Sequence, residues 1–398
     1  MTDSLRLDRT ATLPSDGTAG TLVGRVWRPE LGGPSPVVLR GDDVIDVSAV
    51  YGTVSEIGEL ADPAAALAAI VVEAGAGERI GTIDELLANS VEADRDPSKP
   101  FLLSPVDLQV LKAAGVTFAV SMIERVIEER VRGDLEAAAS MREEILAEIG
   151  TDLSAVKPGS ESAAALKRYL LERGLWSQYL EVGIGPDAEI FTKAPVLSSV
   201  GVGSDVGVLS DSTWNNPEPE VVLAVASTGR IWGTTLGNDV NLRDIEGRSA
   251  LLLGRAKDNN ASCSLGPFIR VFDATFGIDD VRALEVDLRV DGDDGYVLAA
   301  SSHMSKISRD PEDLVAQPLG DHHHYPDGAV LMLGTMFAPV DDRAEAGKGF
   351  THHHGDVVTI STPALGSLVN RVKSSEECAP WVYGISALAK HLATRSAR

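Results

Sequence analysis

The sequence predicts an α+β protein: a large, mostly-β, rolled domain preceded by a smaller N-terminal α/β domain. Two observations carry that reading. Short apolar runs of strand length recur beyond residue 175, at 189–192, 220–225, 284–290, 297–300, 357–362 and 368–372, with few long helices among them. Turns such as Asp291-Gly292-Asp293-Asp294-Gly295 separate these runs. A polar, charged, proline-containing stretch at 89–100 reads as a linker, which assigns residues 1–100 to the first domain and 101–398 to the second.

In chain order, residues 21–27 alternate like a strand, and 36–39 and 44–47 follow across the turn Gly41-Asp42-Asp43. Residues 53–60 and 63–70 read as helices, the second with Asp62 as N-cap and Pro63 at its first position. Ser104-Pro105-Val106-Asp107 has the composition of a helix start. Between 120 and 149 apolar residues recur at helical spacing, including Ile123, Val126, Ile127 and Val131, with Glu and Arg on the other face and Gly133 as a possible division. Another helix is expected over 162–173, stopping at Gly174.

Composition narrows the function. A net charge of −24 argues against nucleic acid or an anionic membrane as partner, and it means that an anionic ligand needs a local cation. Two cysteines, Cys263 and Cys378, build neither a disulfide framework nor a zinc knuckle. The start of the chain lacks a secretory pattern, and no stretch has the apolar length of a membrane helix, so a cytoplasmic protein is expected.

Candidate chemistry concentrates between Trp214 and Arg270. Glu218 and Glu220 stand two apart before the apolar run VVLAV, and on an extended backbone such positions share a face. Asp239 follows a second apolar segment. Three hard oxygen ligands without accompanying His or Cys suit Mg2+, Mn2+ or Ca2+. A solvated strand face is the alternative for an isolated E-x-E.

The stretches EPEVVL, GNDVNLRD and AKDNNASCSLGPF, with Phe191-Thr192-Lys193-Ala194-Pro195 before them and Gly334-Thr335 after, resemble the core of the fumarylacetoacetate hydrolase superfamily. The flanks AAGVTFAVSMIERVIEER, GLWSQYLEVGIGPDAEIFTK and LGTMFAP are similar to a narrower branch, the bacterial 2-keto-3-deoxy-D-xylonate (pentonate) dehydratases. The resemblance implies a fumarylacetoacetate-hydrolase-like roll as the catalytic domain, with metal held by Glu218, Glu220 and Asp239. It also implies an active-site lysine at Lys257, a second lysine at Lys193, and a threonine at Thr335 that contacts the substrate carboxylate. Taken alone, Lys257 would be a surface lysine and Thr335 a strand-end hydroxyl bonded to backbone.

One departure from that pattern is informative. Hydrolases of the superfamily resemble one another in an N-Y-x-x-H-x-x-E stretch whose His–Glu pair activates water. Here residues 117–124 keep Glu124 and carry Ser121 in the histidine position, and no histidine precedes His303. Glutamate without histidine is poorly equipped to make hydroxide but can still move protons on carbon. This favours Mg2+-dependent dehydration of a 2-oxo sugar acid to 2,5-dioxopentanoate, with Glu124 and Lys257 catalytic and Lys193, Thr335 and Ser121 binding substrate. A hydrolase or decarboxylase of another 2-oxo or 1,3-dicarbonyl acid is the rival, and a non-catalytic sugar-acid sensor a further one. Glu124 could also be one more charge on a solvated helix face. The resemblance implies a homodimer or homotetramer.

The remaining motifs promise less. His322-His323-His324 and His352-His353-His354 lack metal-site spacing, Cys263 reads as a small core residue, and residues 200–207 (VGVGSDVG) lack the Lys-Ser/Thr ending of a phosphate loop.

Overall fold

The computed structural model describes residues 5–70, 75–132, 134, 137–138, 156–174, 176–339, 341–343 and 349–396. Its strands are β1 (Leu22–Arg28), β2 (Gly33–Arg40), β3 (Asp43–Asp46), β4 (Glu78–Thr82), β5 (Phe101–Leu103), β6 (Val110–Gly115), β7 (Glu189–Ala194), β8 (Asp205–Val208) and β9 (Asn215–Asn216). They continue with β10 (Pro219–Val225), β11 (Ile231–Asp239), β12 (Asn241–Leu242), β13 (Cys263–Val271), β14 (Glu285–Asp291), β15 (Val297–His303), β16 (Ala329–Met332), β17 (Val357–Thr362) and β18 (Gly366–Ser374).

Hydrogen bonding joins eleven of these into one sheet, in the order β4-β3-β2-β1-β13-β11-β10-β16-β6-β7 with β5 paired to β1. A five-stranded sheet runs β15-β14-β17-β18-β8. The pairing is antiparallel except for β16 on β6 and β18 on β8. Strands from both sides of residue 100 therefore share one sheet. The stretch 89–100 is itself tied down, because the Asn89 side-chain amide donates to the carbonyls of Asp96, Lys99 and Pro100.

Both faces of the large sheet are buried, and alternate residues of one strand enter different cores. On β10, Val221, Leu223 and Val225 join β14, β17 and β18 residues such as Leu288, Ile360 and Leu368 inside the roll. Val222 and Ala224 join Val54, Ile57, Leu67 and Trp232 on the outer side, under the helices Val54–Gly58 and Pro63–Ala68. A doubly buried strand needs no polar alternation. The β11 sequence IWGTTLGND and the β13 sequence CSLGPFIRV accordingly lack the period-2 signal, and both went unpredicted.

A third core is helical. Met122, Val126 and Ile127 from the helix Ala119–Val131 pack with Leu170, Leu180 and Ile184 from the helices Glu161–Glu172 and Gln178–Ile184. The helix expected over 120–149 is described as far as Val131, and its continuation past Gly133 lies outside the described residues apart from 134, 137 and 138.

Two expectations are corrected. The charged side of this helix is not solvated: Glu124, Arg125 and Glu128 are as buried as its apolar residues. Nor does Ser104–Asp107 start a helix, since β6 follows at Val110. Asp107 caps a different helix, accepting from the backbone N–H of Val54 and Ser55 at 2.7 and 3.0 Å. The backbone that Asp107 caps lies 53 residues away in the chain.

Asp107 is buried beside Arg25, at 4.0 Å. Asp107→Ala removes a helix cap and strands a buried guanidinium, so it is expected to cost about 3 kcal/mol of stability, read as a lowered urea midpoint. An unchanged midpoint would refute the capping role.

Candidate metal centre

The hairpin β10–β11 brings the predicted carboxylates together. Pro219 pairs with Asn238 and Glu220 with Gly237, while Asp239 N–H donates to Glu218 O at 3.0 Å. Asn238 Oδ1 accepts from Glu218 N–H at 3.0 Å, which fixes the residue just before the strand. Carboxylate oxygens of Glu218, Glu220 and Asp239 then lie within 4.8 Å of one another, all buried. Among the described residues this is the one grouping of three such side chains that could hold a metal ion.

Cations hold this cluster together. Lys257, at the end of the helix Leu253–Lys257, donates from Nζ to Glu218 Oε2 and, at 3.0 Å, to Asp239 Oδ2. Lys193 on β7 is completely buried, with Nζ 2.8 Å from Asp239 Oδ1. The same ammonium donates to the carbonyls of Val240 and Lys257 and, at 3.5 Å, to Ser262 Oγ, so it ties Asp239 to the backbone around the centre. Glu220 Oε2 accepts from Gly334 N–H at 2.6 Å. Gly334 adopts φ +94°, where a Cβ would run into Thr117 Oγ1.

Electrostatics follow from burial. Burial, reinforced by Asp239 and Glu218, pushes the Glu220 carboxyl well above its ordinary range. Burial also acts to raise Asp239, but Lys193 and Lys257 outweigh it and hold that carboxyl low. Burial disfavours the Lys257 ammonium, yet Asp239 and Glu218 overcome this and keep it protonated. The centre thus combines crowded acids, buried cations against them and one carboxyl forced toward neutrality. An oxygen-lined site of this kind fits a hard divalent cation, with Glu218, Glu220 and Asp239 as its holders.

Sequence reasoning missed three more charged residues here. Arg125 reaches from the helix Ala119–Val131 to Glu218 Oε1 at 2.5 Å, and also pairs with Glu128 and Glu246. Burial, with Glu218 and Glu128 adding to it against Arg125 and Lys257, raises Glu246 to about 7. Burial likewise raises Glu189, which shares the cavity wall with Ser121, Phe191 and Thr335. A signal for Arg125 existed, because Ser121, Glu124, Arg125 and Glu128 form a polar stripe at i, i+3, i+4 and i+7. Glu189 gave none. It faces Gly115 across the β6–β7 ladder, where a Cβ would overlap its carboxylate.

The other predicted residues fall nearby. Ser121 and Thr335 line the cavity beside the carboxylates; Ser121 Oγ donates to Phe118 O, and Thr335 Oγ1 bonds the Phe337 backbone. Glu124 instead lines an adjoining chamber, paired with Arg243 at 2.9 Å. The histidine runs lie elsewhere: His322–His324 are exposed, and His352 is buried against Asp356 at 3.0 Å. Cys263 is a buried β13 residue with its thiol pushed up to about 12 by burial.

Residues 218–373 match the family model described as fumarylacetoacetate (FAA) hydrolase C-terminal. The chain is 31% identical over 201 residues to a probable 2-keto-3-deoxyxylonate dehydratase of Haloferax volcanii, covering 50% of this chain and 65% of that one. It is 32% identical over 185 residues to a 2-dehydro-3-deoxy-D-arabinonate dehydratase of Saccharolobus solfataricus, covering 46% of this chain and 58% of that one. Both matches thus span less than two thirds of the relative's length. The fold is similar to that of a 2-keto-3-deoxy-D-arabinonate dehydratase complexed with magnesium and 2,5-dioxopentanoate, with TM-score 0.57 and 22% identity over 89% of this chain and 99% of that one.

Because Glu220 must shed a proton to ligate, Mg2+ binding is expected to release protons and to tighten as pH rises. Calorimetric titrations in two buffers of different ionisation enthalpy measure this, and identical heats at neutral pH would contradict it.

Proposed function

With residues 218–373 matching the fumarylacetoacetate hydrolase C-terminal family model, we propose that the protein is a Mg2+-dependent hydro-lyase converting 2-keto-3-deoxy-D-pentonate to 2,5-dioxopentanoate. The D-xylonate and D-arabinonate derivatives are the same compound, since C2 is a ketone and C3 is deoxygenated. The observation that carries the reading is the buried Glu218–Glu220–Asp239 cluster with Lys257 against it and carboxyls, not histidines, on the surrounding walls. Dehydratase relatives and the magnesium complex of a similar fold support it.

A divalent cation (Mg2+, with Mn2+ or Ca2+ as substitutes) would supply Lewis acidity to the 2-oxo acid, making the C3 hydrogens more acidic. The Lys257 ammonium, kept charged by its acidic neighbours, favours negative charge developing on the keto oxygen. Glu189 and Glu246, with carboxyls raised by burial, suit removal of a C3 proton and protonation of the departing C4 hydroxyl. Loss of water leaves a C3=C4 double bond conjugated with the ketone. A proton shift from C5 to C3 gives the C4=C5 enol, and protonation at C4 yields the aldehyde. Lys193 braces Asp239 and the Lys257 backbone, while Thr335 and Ser121 line the substrate's side of the cavity. Glu124 enters the proton chemistry only if the covering helix shifts it away from Arg243.

The reading also requires the cavity to widen for substrate. The cavity at the carboxylates holds about 20 Å³, room for an ion or a water but not for a five-carbon acid. The proposal therefore includes opening and closing of Ala119–Val131. It further takes the working form as a cytoplasmic homodimer or homotetramer in oxidative pentose degradation. A net charge of −24 supports the absence of nucleic-acid and membrane partners. Among the described residues no helix is long and apolar enough to cross a membrane.

Incubation with the pentonate and Mg2+, followed by NMR, is expected to yield 2,5-dioxopentanoate in a chelator-sensitive reaction. Released CO2 or two carbon fragments would identify a decarboxylase or hydrolase instead. Glu189→Gln and Lys257→Met should each lower kcat by roughly 10²-fold or more with Mg2+ binding retained. Parental turnover in Glu124→Gln would remove Glu124 from the chemistry.

A further inference from the structure

Behind the carboxylate cavity lies the second chamber, of about 10 Å³, the size of one hydroxyl oxygen or water. The two chambers share Ser121, Arg125, Glu218 and Thr335 as walls. Asn216, on β9 just before the metal-holding stretch, lines only the second. It is 3% exposed. Its Nδ2 donates to Pro217 O at 2.8 Å, while its Oδ1 has no partner among the described residues. Asn241, its Cα partner across the β9–β12 ladder, offers it no bond, since both polar atoms of that side chain are also unpartnered. A buried acceptor left empty costs free energy that a ligand donor would recover.

The chamber's two arginines are bound to its acids. Arg243 gives Nε to Glu128 and Nη2 to Glu124, and Arg125 gives its two Nη groups to Glu128 and Glu218. Ser121 spends its hydroxyl proton on Phe118 O and keeps acceptor capacity. Among the described side chains lining the chamber, Asn216 Oδ1 is the buried polar atom left without a partner, and a group that donates, such as a hydroxyl, satisfies it where a carbonyl or carboxylate does not.

We propose that this chamber is the subsite for the terminal hydroxyl of a hydroxylated 2-oxo acid, and that Asn216 Oδ1 is its specificity-determining acceptor. The inference rests on the reading of the main cavity as a 2-oxo acid site, and it adds the residue that distinguishes a sugar acid from a plain keto acid. Because the two chambers share four wall residues, a ligand held at the carboxylates once the cavity has widened extends toward the second chamber.

The test uses two unreactive probes, 5-hydroxy-2-oxopentanoate and 2-oxopentanoate, titrated calorimetrically into the Mg2+-loaded protein. The hydroxylated acid is expected to bind at least about tenfold more tightly to the wild type. In Asn216→Ala that preference should shrink to about threefold or less. Equal affinities in the wild type, as when a structural water fills the chamber, overturn the proposal, and so does a preference undiminished in the variant. If neither acid binds the wild type, the 2-oxo acid reading itself fails and takes this inference with it. The wild-type ratio decides alone should the variant not fold.

Discussion

The structure turns on packing three crowded carboxyl groups, one of them driven toward neutrality, inside a doubly covered sheet. Glu218, Glu220 and Asp239 occupy positions that water does not screen, where like charges repel strongly. Lys193, Lys257 and Arg125 compensate them from three separate elements: strand β7, the helix Leu253–Lys257 and the helix Ala119–Val131. Each cation is itself costly to bury without its partners. The cluster therefore holds together as a unit, and the surrounding chain is arranged to deliver its members.

The roll makes this delivery rigid. Edge-to-edge hydrogen bonding from β4 through β7 places the N-terminal strands, the carboxylate-bearing hairpin and the β6–β7 wall in one sheet. Carboxylates carried at the end of a hairpin have little freedom to spread apart. The long-range bonds Asp239 N–H to Glu218 O and Gly334 N–H to Glu220 Oε2 restrict them further. A hard cation with demanding geometry is best served by such a fixed frame.

The covering helix supplies what the sheet cannot. Its apolar face joins a helical core separate from the two sheet cores, and its charged face meets the centre through Arg125. The helical core and the charge balance of the centre are thereby linked through one element. Glu128, held by both Arg125 and Arg243, extends the same network to the chamber lined by Asn216.

Much of this was legible in the residues. The strands at 357–362, the Asp62–Pro63 helix start and the E-x-E plus Asp239 triad follow from local rules, in which neighbours along the chain decide the outcome. The roles of Lys257 and Lys193 depended on resemblance, because a lysine's surroundings leave no mark on its own sequence. Strands β11 and β13 escaped because burial on both faces erases alternation. Residues 104–107 were expected to start a helix, whereas Asp107 caps Val54–Gly58, because a side-chain acceptor does not reveal which backbone it will meet. Sequence by itself determined which groups could bind a hard cation. Only the tertiary structure decided that Arg125, Glu189, Glu246 and Asn216 surround them, since positions distant in the chain become neighbours through sheet order and helix docking, which no local pattern encodes.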